Sequence, residues 1–480
     1  MRDSYFPGST IQRDCKEYAG TACRQSFAMI QPSNRSSSSI HWHIANRSLP
    51  YALLLALPIV QIARHFGDLQ VYPFADEWYY VTSVAAQSGV PWAWLWEQHG
   101  DHRIPLQKAV QWALLNASDF DFRSLVILNL FIATAIGLIT LQVARNLRGC
   151  TSVWDGMIPI LLFNPMAGYA MWGFHLQFLS SALFVCVFAW AVVRHSVRPW
   201  HLAVAILAVI ASSLCGLNGL LQAGFMLPLA WLRTTKTQRG PYFIAALCLA
   251  SLLLALLWFS WSRAGAGEAA PSPSAFGQFF AGLIGASLLP VWNVYLAAAI
   301  IGVAAAAAVL AGLRAGQENP AARVCALLVF TVMLQLCAVA WGRAQYQGGW
   351  QPGLAMHYGA ISMLVPILAW LTLAGRNRPM ATRAVGVLLT LALGTGWVEA
   401  EFWRTTYTKE HSSSKALAYR DIRDRHMPIP TVIERNAALY WSDDAAAKET
   451  MSVGIPILRR AYERKWPGLA VEEPGPPLNQ

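Results

Sequence analysis

Charged side chains are scarce in this sequence. Asp, Glu, Lys and Arg make up 13% of its 480 residues, whereas hydrophobic residues make up 55%. Soluble globular domains carry roughly twice that share of charge. Between Gly156 and Val398 the only carboxylates are Glu268 and Glu318. This scarcity excludes an ordinary soluble domain and predicts an all-α polytopic membrane protein, because closed helices pair their own backbone groups in lipid.

Several familiar motifs are also missing. The eight cysteines include no CxxC pair and follow no regular spacing, which argues against a disulfide framework and a structural zinc site. The net charge of +11 comes from Lys and Arg in short clusters between apolar runs rather than along one face. Such clusters are typical of membrane topology, so we expect no nucleic-acid partner.

The apolar runs between residues 48 and 398 predict about eleven transmembrane helices. They lie at 48–66, 124–143, 157–171, 177–193, 200–215, 219–232, 241–261, 292–313, 321–340, 358–374 and 384–398. Several are at or below the ~17–25 residues that a helix needs to cross about 30 Å of hydrocarbon. Residues 262–290 are predicted to form a turn-rich linker and then a helix on, or dipping into, the outer leaflet.

The short loops predict the orientation of the chain. Every second loop carries two or three Lys or Arg residues, whereas the intervening turns carry one or none. Basic loops stay on the cytoplasmic side. Residues 1–47, which are Ser-rich and lack the apolar segment of a signal peptide, are predicted to be a disordered cytoplasmic leader. The loop at 68–123 and a small soluble appendage at 399–480 are predicted to lie outside.

The first outward loop begins with an acidic pair, Asp76 and Glu77, about ten residues beyond the first span. An adjacent pair at the membrane surface can supply one carboxylate as a general base and the other as an orienting or metal-contacting group. A solvated loop start or a helix N-cap is the alternative interpretation. The pair alone favours that alternative.

The same loop continues with three tryptophans and a tight polar cluster. The cluster consists of Glu97, His99, Asp101, His102 and Arg103. Tryptophans suit the headgroup layer, so a surface helix with a charged end explains them without a function. Arg103 beside two histidines predicts a phosphate-binding site at the level of the lipid headgroups. A zinc site from His99, Asp101 and His102 is the less favoured alternative, because no second ligand cluster is evident.

Two later outward turns are polar in unusual ways. One carries Trp172, His175 and Gln177, and the other carries Arg343, His357 and Tyr358. A lone cation at the outer end of a span, such as Arg343, opposes the positive-inside bias and favours an anionic partner. Aromatic rings with amides are also typical of sugar sites, although His175 alone is more simply a satisfied helix-end residue.

Taken together, these segments resemble the integral-membrane glycosyltransferases of the GT-C fold, a family that includes protein mannosyltransferases and aminoarabinose transferases acting on lipid A. The shared features are a first span leading into a long outward loop, an acidic motif at its start (ADEW, 75–78), and a surface helix before the second span. HGDHRIPL (99–106) looks like the EHR-I-P segment of the bacterial branch, with Asp101 in place of Glu. The likeness covers about 50–398 in architecture.

The resemblance implies transfer of a sugar from a polyprenyl-phosphate carrier to an envelope acceptor, at the outer face of a bacterial inner membrane. Asp76 would be the base, with Glu77 orienting it or the roles reversed. The donor phosphate would be held by His102, Arg103 and Arg343. The remaining substrate contacts would come from His99, Asp101, Trp172, His175, Gln177, His357 and Tyr358. No cofactor is required by these roles, and dependence on a divalent metal stays open.

Two other classes compete with this prediction. A transporter or flippase for lipid-linked sugars would line its path with polar residues, but the predicted spans contain almost no ionisable side chains and no internal repeat. A polysaccharide polymerase or ligase tends to place its key residues in late loops, whereas the richest loop here is the first.

The DFD sequence at Asp119 to Asp121 lies close to the second span and is interpreted as the start of a helix.

Overall fold

The computed structural model is helical throughout the part of the chain it describes. Described residues are 37–65, 71–85, 91–100, 102–163, 172–194, 196–262, 270–288, 294–315, 319–347, 358–375, 386–387, 394, 397–398, 417–440 and 445–465. Within these ranges there is no β-strand, and one isolated bridge joins His99 to His102. The prediction of an all-α chain is therefore confirmed for these residues.

Sixteen helices are numbered below in chain order, and short 3₁₀ turns precede several of them. They are α1 (Ser37–His65), α2 (Trp78–Ala85), α3 (Trp92–Trp96), α4 (Pro105–Ala117), α5 (Arg123–Arg148), α6 (Met157–Leu162), α7 (Leu176–Val192), α8 (Pro199–Ser213), α9 (Gly216–Leu232), α10 (Pro241–Phe259), α11 (Pro273–Gly285), α12 (Val294–Arg314), α13 (Pro320–Gln347), α14 (Leu364–Ala374), α15 (Ile429–Tyr440) and α16 (Ala445–Lys465). Helix α1 begins inside the segment predicted to be a leader. Residues 417–423 are also helical.

Among the described residues, five helical segments are long and apolar enough to cross a membrane. They are Arg123–Arg148, Gly173–Val192, Pro241–Phe259, Val294–Arg314 and Pro320–Ala344. Five further apolar helices are shorter: Arg47–Ala63, Val153–Leu162, Pro199–Ser213, Gly216–Leu232 and Tyr358–Ala374. Each of the first ten predicted runs overlaps one of these ten helices, whereas most of the run at 384–398 lies outside the described residues. The count of about eleven spans stays a prediction.

The apolar helices share one buried core, with α7 at its centre. The Gly173–Val192 segment is 78% buried, the largest buried share among the five long apolar segments. Small residues allow close helix approach: a Cβ on Gly312 of α12 would clash with the Cβ of Ala326 on α13. This is the packing expected where lipid provides little drive for association and van der Waals fit must hold the helices together.

Helix α11 fits the segment predicted to lie on or dip into the outer leaflet. It has 13 residues, which at about 1.5 Å per residue reach roughly 20 Å and fall short of a bilayer. Ser272 caps its first turn by accepting a hydrogen bond from the Ala275 N–H at 3.1 Å. Phe279 and Leu283 are fully buried against the neighbouring helices. The helix is therefore anchored in the apolar core without being long enough to span.

A second hydrophobic core joins the first loop to the tail. Its buried residues come from 72–84, from the 104–125 segment with Phe174, and from 418–462. Helix α16 packs against α2 and α15. The predicted loop and the described tail helices therefore lie on one side of the molecule, next to each other.

A buried ion pair closes the opposite end of α5. Arg148 donates to both carboxylate oxygens of Asp155, at 2.7 and 2.5 Å, and the Trp370 indole N–H donates to Asp155 Oδ1 at 2.9 Å. Asp155 has no exposed surface. Since α5 has 26 residues, this end lies roughly 39 Å from the end that meets the first loop.

Candidate functional site

Asp76 lies at the surface, in a 3₁₀ turn (Ala75–Glu77) that leads into α2. Its side chain is 36% exposed, and its Oδ2 lies 3.8 Å from His99 Nε2. The preceding residue, Ala75, has a φ of 50°, in the left-handed region that residues with a Cβ rarely adopt. Such backbone strain costs on the order of 1–3 kcal/mol and persists where the surroundings fix the chain, often at functional sites.

Glu77, the other half of the predicted pair, is buried and used as a brace. Its Oε2 accepts a hydrogen bond from the Phe74 N–H at 2.9 Å, and its Oε1 accepts one from the Phe174 N–H at 3.1 Å. Burial raises the pKa of Glu77 to about 8, although the backbone hydrogen bonds from Phe74, Phe174 and Gly173 lower it. Glu77 thus links the acidic motif to the 172–175 turn and does not share the exposure of Asp76.

Three amides hold the carbonyl groups of that turn. Asn129 donates to the Trp172 carbonyl at 2.9 Å, Gln111 to that of Gly173 at 3.3 Å and Gln107 to that of Phe174 at 3.3 Å. The Trp172 indole N–H in turn donates to the Phe74 carbonyl at 3.1 Å. These amides were not predicted from the sequence. Two of them, Gln107 and Gln111, lie four residues apart on α4. This spacing places both side chains on one helix face and was the feature of the sequence that could have indicated them.

His99 and His102 face each other across a tight turn. The N–H of His99 donates to the His102 carbonyl at 2.7 Å, and the reverse bond measures 2.8 Å. Gly100 within the turn has a φ of 53°, which glycine adopts at little cost. The His99 ring contacts Tyr79 and Phe174, with centroids 5.3 and 5.6 Å away. The turn therefore fixes one imidazole beside Asp76 and directs the other elsewhere.

That second imidazole meets Arg343. His102 Nε2 lies 3.4 Å from Arg343 Nη2, and Arg343 Nε donates to the Tyr358 hydroxyl at 3.1 Å. His102 and Tyr358 are buried, whereas Arg343 is half-buried. The structure thus brings together five of the predicted site residues as one series of contacts: Asp76, His99, His102, Arg343 and Tyr358.

Beside Arg343 lies a cavity of about 280 Å³. Four of its lining residues are polar, namely His102, Asn218, Arg343 and Tyr358, and Arg343 contacts both His102 and Tyr358. The remainder of its lining is apolar and includes three tryptophans: Trp258, Trp261 and Trp341. The cavity therefore combines a cationic end with an apolar body, which suits an amphipathic ligand that carries a negative charge.

Arg103 is hydrogen-bonded to the C-terminal end of α10. Its guanidinium donates to the Ser260 hydroxyl at 3.0 Å and to the Ser260 carbonyl at 2.8 Å. Ser260 is the C-cap of α10, where a cation satisfies the free carbonyls and the helix dipole. Arg103 therefore ties the first loop to a helix that lines the cavity. A phosphate contact by this residue stays a prediction.

Gln177 is buried near His102. It is 1% exposed, and its amide has no hydrogen-bond partner among the residues that the structure describes. A Cβ on Gly216 would lie 3.2 Å from Gln177 Oε1 and 3.5 Å from His102 Nδ1. Trp172 and His175 are neighbours, with ring centroids 4.8 Å apart. Asp101 and His357, which were also predicted site residues, lie outside the described part of the chain.

No group of three or more His, Cys, Asp or Glu side chains that could hold a metal occurs in the described ranges. The zinc alternative included Asp101, so that residue set is only partly represented there. His99 and His102 are the two members of it that are described, and their turn directs the imidazoles toward different partners. Metal dependence is therefore a question for the assays below.

Comparisons with known proteins give no relative of this chain. No family model, no curated protein and no solved structure matches it.

Proposed function

We propose that the protein is a membrane glycosyltransferase that moves a sugar from a polyprenyl-phosphate carrier to an envelope acceptor. The acceptor would be a lipid, a glycan or a protein at the periplasmic face of a bacterial inner membrane. The observation that carries the proposal is the turn from His99 to His102. It joins an exposed carboxylate, Asp76, to the cationic end of an apolar cavity at Arg343.

The cavity supplies the donor site of this proposal. The phosphate would sit against Arg343, whose guanidinium can form two parallel hydrogen bonds to phosphate oxygens. The first isoprene units would occupy the apolar body between Trp258, Trp261 and Trp341. A volume of about 280 Å³ accommodates only the start of a polyprenyl chain, so the rest would remain in the bilayer.

Asp76 would act as the general base. The acceptor O–H gives its proton to the Asp76 carboxylate while the acceptor oxygen forms a bond to the anomeric carbon. The bond between that carbon and the phosphate oxygen breaks, and its electron pair leaves with the polyprenyl phosphate. Arg343 stabilises the charge that develops on the leaving phosphate. His99, 3.8 Å from Asp76, would orient the carboxylate, and buried Glu77 would hold the motif in place.

The proposed topology has about eleven spans, with the N-terminus inside and both the 68–123 loop and the tail outside. The contact between α2 and the tail helices supports this arrangement, since the two segments must lie on the same side of the membrane. Ten of the eleven proposed spans separate them, and an even number returns the chain to the side from which it started. The lipid bilayer is thus a proposed partner of the protein.

The experiment compares wild type with Asp76→Asn, purified in nanodiscs, in a transfer assay that follows loss of sugar from a polyprenyl-phosphate donor. The variant keeps the size and hydrogen bonding of the side chain but cannot take the proton. We expect turnover to fall by roughly 10²–10⁴-fold, the usual contribution of such a base. Donor binding, measured separately, should be retained because it is assigned to Arg343 and the cavity.

Glu434→Gln serves as the matched control, because Glu434 is an exposed carboxylate on α15 outside the site. Wild-type turnover in the Asp76→Asn variant would remove Asp76 as the base. Equal losses of donor binding and turnover would instead indicate a structural or metal-binding role. Chelation and re-addition of Mg²⁺ or Mn²⁺ in the same assay would decide metal dependence. Export of the intact lipid-linked sugar without transfer would favour the flippase alternative.

A further inference from the structure

The tail helix α16 packs with its backbone directly on the α2 segment. Trp78, the first residue of α2, is completely buried. A Cβ on Gly454 would lie 3.0 Å from Trp78 Cε3 and 3.1 Å from Cζ3. Only a residue without a side chain leaves the indole its present position, so Gly454 sets the distance between the tail and the start of α2.

Polar contacts join the same two parts of the chain. The Tyr462 hydroxyl donates to the Val71 carbonyl at 3.1 Å, and the Phe122 N–H donates to that carbonyl at 3.1 Å. The rings of Tyr72 and Tyr419 stack with centroids 5.9 Å apart. Val71 is therefore a shared acceptor for the tail and for the residue that precedes α5.

Asp76 lies between these contacts. Val71 and Tyr72 are fixed by the tail on one side of it, and Trp78 is fixed on the other. The strained Ala75, with a φ of 50°, lies within the same short segment. A strained residue keeps its conformation only when its surroundings over-determine it. The tail supplies part of this constraint, beside the hydrogen bonds that Glu77, Trp172 and Phe122 make to the same segment.

We propose that the tail helices at 417–423, α15 and α16 are a positioning element for Asp76. The proposal rests on the proposed function, in which Asp76 takes the proton of the acceptor. The tail contributes no group to the reaction; its packing on Val71, Tyr72 and Trp78 holds the carboxylate where an acceptor hydroxyl can reach it. Loosening this junction would lower turnover and leave the donor cavity unchanged, because no residue of 71–85 or of the tail lines it.

The test uses Gly454→Val in the full chain, reconstituted in nanodiscs. Gly302→Val is the matched control, because Gly302 is also inside a helix but a Cβ there would meet nothing within 4 Å. Both changes add the same groups and differ only in what those groups contact. The first readout is hydrogen exchange of the amides at 71–85, with α12 as an internal reference. The second is the separation of kcat from the donor KM in the transfer assay.

We expect exchange at 71–85 to rise by roughly tenfold in Gly454→Val, as overpacking at a tight contact would produce. Exchange in α12 should not change. The kcat should fall by roughly tenfold, with the donor KM within about twofold of wild type. Gly302→Val should match wild type in both the exchange at 71–85 and the kinetics.

Tyr462→Phe is the second variant, since it removes one hydroxyl and keeps the ring, and it decides the matter if Gly454→Val does not fold. Tyr462→Phe should also raise exchange at 71–85 and lower kcat, each by a smaller factor than Gly454→Val does. Faster exchange with unchanged kcat would overturn the positioning role, and unchanged exchange at 71–85 would overturn the junction itself. If wild type transfers no sugar, the proposed function fails, while the exchange data still decide whether the tail holds this segment.

Discussion

Asp76 and Glu77 are adjacent in the chain, but their surroundings separate their roles. Asp76 is partly exposed and has an imidazole 3.8 Å away. Glu77 is 3% exposed, and both of its oxygens accept backbone hydrogen bonds. A proton acceptor must reach its substrate, and Asp76 has the more accessible carboxylate, whereas both oxygens of Glu77 are occupied by backbone N–H groups. At the residue scale this geometry supports the proposal that Asp76 is the base, while Glu77 braces the motif.

The pH dependence of stability tests the brace. Burial raises the pKa of Glu77 from 4.5 to about 8, so the folded protein keeps this proton across an interval in which the unfolded chain has lost it. Because the folded state binds more protons, the free energy of unfolding falls as pH rises between about 5 and 8. Glu77→Gln cannot titrate and should show a shallower fall.

The measurement is the midpoint of thermal unfolding in nanodiscs at several pH values in that interval, with exposed Glu434→Gln as the control. The difference between wild type and Glu77→Gln should narrow as pH rises. A constant difference across the interval would mean that Glu77 is already ionised in the folded protein. Its stabilisation would then come from accepting hydrogen bonds as a carboxylate.

The candidate site could be predicted only in part from the residues. The pair at 76–77 and the histidines at 99 and 102 stood out because carboxylates and imidazoles are rare in an apolar chain. The separate roles of these residues could not be predicted from the sequence, since burial depends on what packs against each side chain. Asn129, Gln107 and Gln111 were missed because an amide on a helix has no sequence feature that shows whether it faces solvent or a buried carbonyl.

At the scale of elements, two arginines connect the first loop with the cavity in different ways. Arg103 is hydrogen-bonded to Ser260 at the end of α10, whereas Arg343 at the end of α13 contacts His102 and Tyr358 and lines the cavity. The first arrangement holds two elements together. The second places a cation where a ligand can reach it.

Replacing each arginine with lysine separates these roles, because lysine keeps the charge and loses the planar fork. We expect Arg343→Lys to raise the donor KM by roughly tenfold, the loss expected for a charge-assisted hydrogen bond. Arg103→Lys should change it by no more than about threefold, and Ser260→Ala should behave in the same way. The measurement is donor binding and steady-state kinetics on protein with a normal expression level.

Arg314→Lys is the control, since this cation ends α12 in a loop predicted to lie inside. A donor KM raised as strongly by Arg103→Lys as by Arg343→Lys, with Ser260→Ala unaffected, would support the predicted phosphate contact of Arg103. Unchanged donor binding in Arg343→Lys would place the phosphate elsewhere.

The elements themselves were largely predictable, but their partners were not. The apolar runs coincide with helices because hydropathy reports directly on segments that must leave water. The packing of α16 on α2 joins residues as distant as Trp78 and Gly454. Neither the amphipathic pattern of α16 nor the glycine within it shows which surface it covers, so the tail was predicted as a separate appendage of unknown role.

At the scale of the whole molecule, the two ends of the helical bundle have different chemistry. One end carries Asp76, the 172–175 turn and the tail, which are joined through a shared core and many hydrogen bonds. The other carries the buried Asp155 with Arg148 and Trp370. The site is therefore polar and open on one side of the bundle, while the carboxylate at the other end is enclosed and neutralised.

This arrangement makes the topology a test of the whole proposal. If ten spans separate the first loop from the tail, alkaline phosphatase fused after Glu399 should be active, and fused at Lys236 it should be inactive, because the enzyme matures only outside the cytoplasm. Full-length chains with Glu97→Cys or Glu434→Cys should both react with a membrane-impermeant thiol reagent in intact cells, whereas Lys236→Cys should not. Because α2 and α16 are in contact, Glu97→Cys and Glu434→Cys must give the same labelling result. Labelling of Glu97→Cys without Glu434→Cys would contradict that contact, while an inactive fusion after Glu399 with both thiols labelled would indicate that the fusion itself had disturbed the last spans.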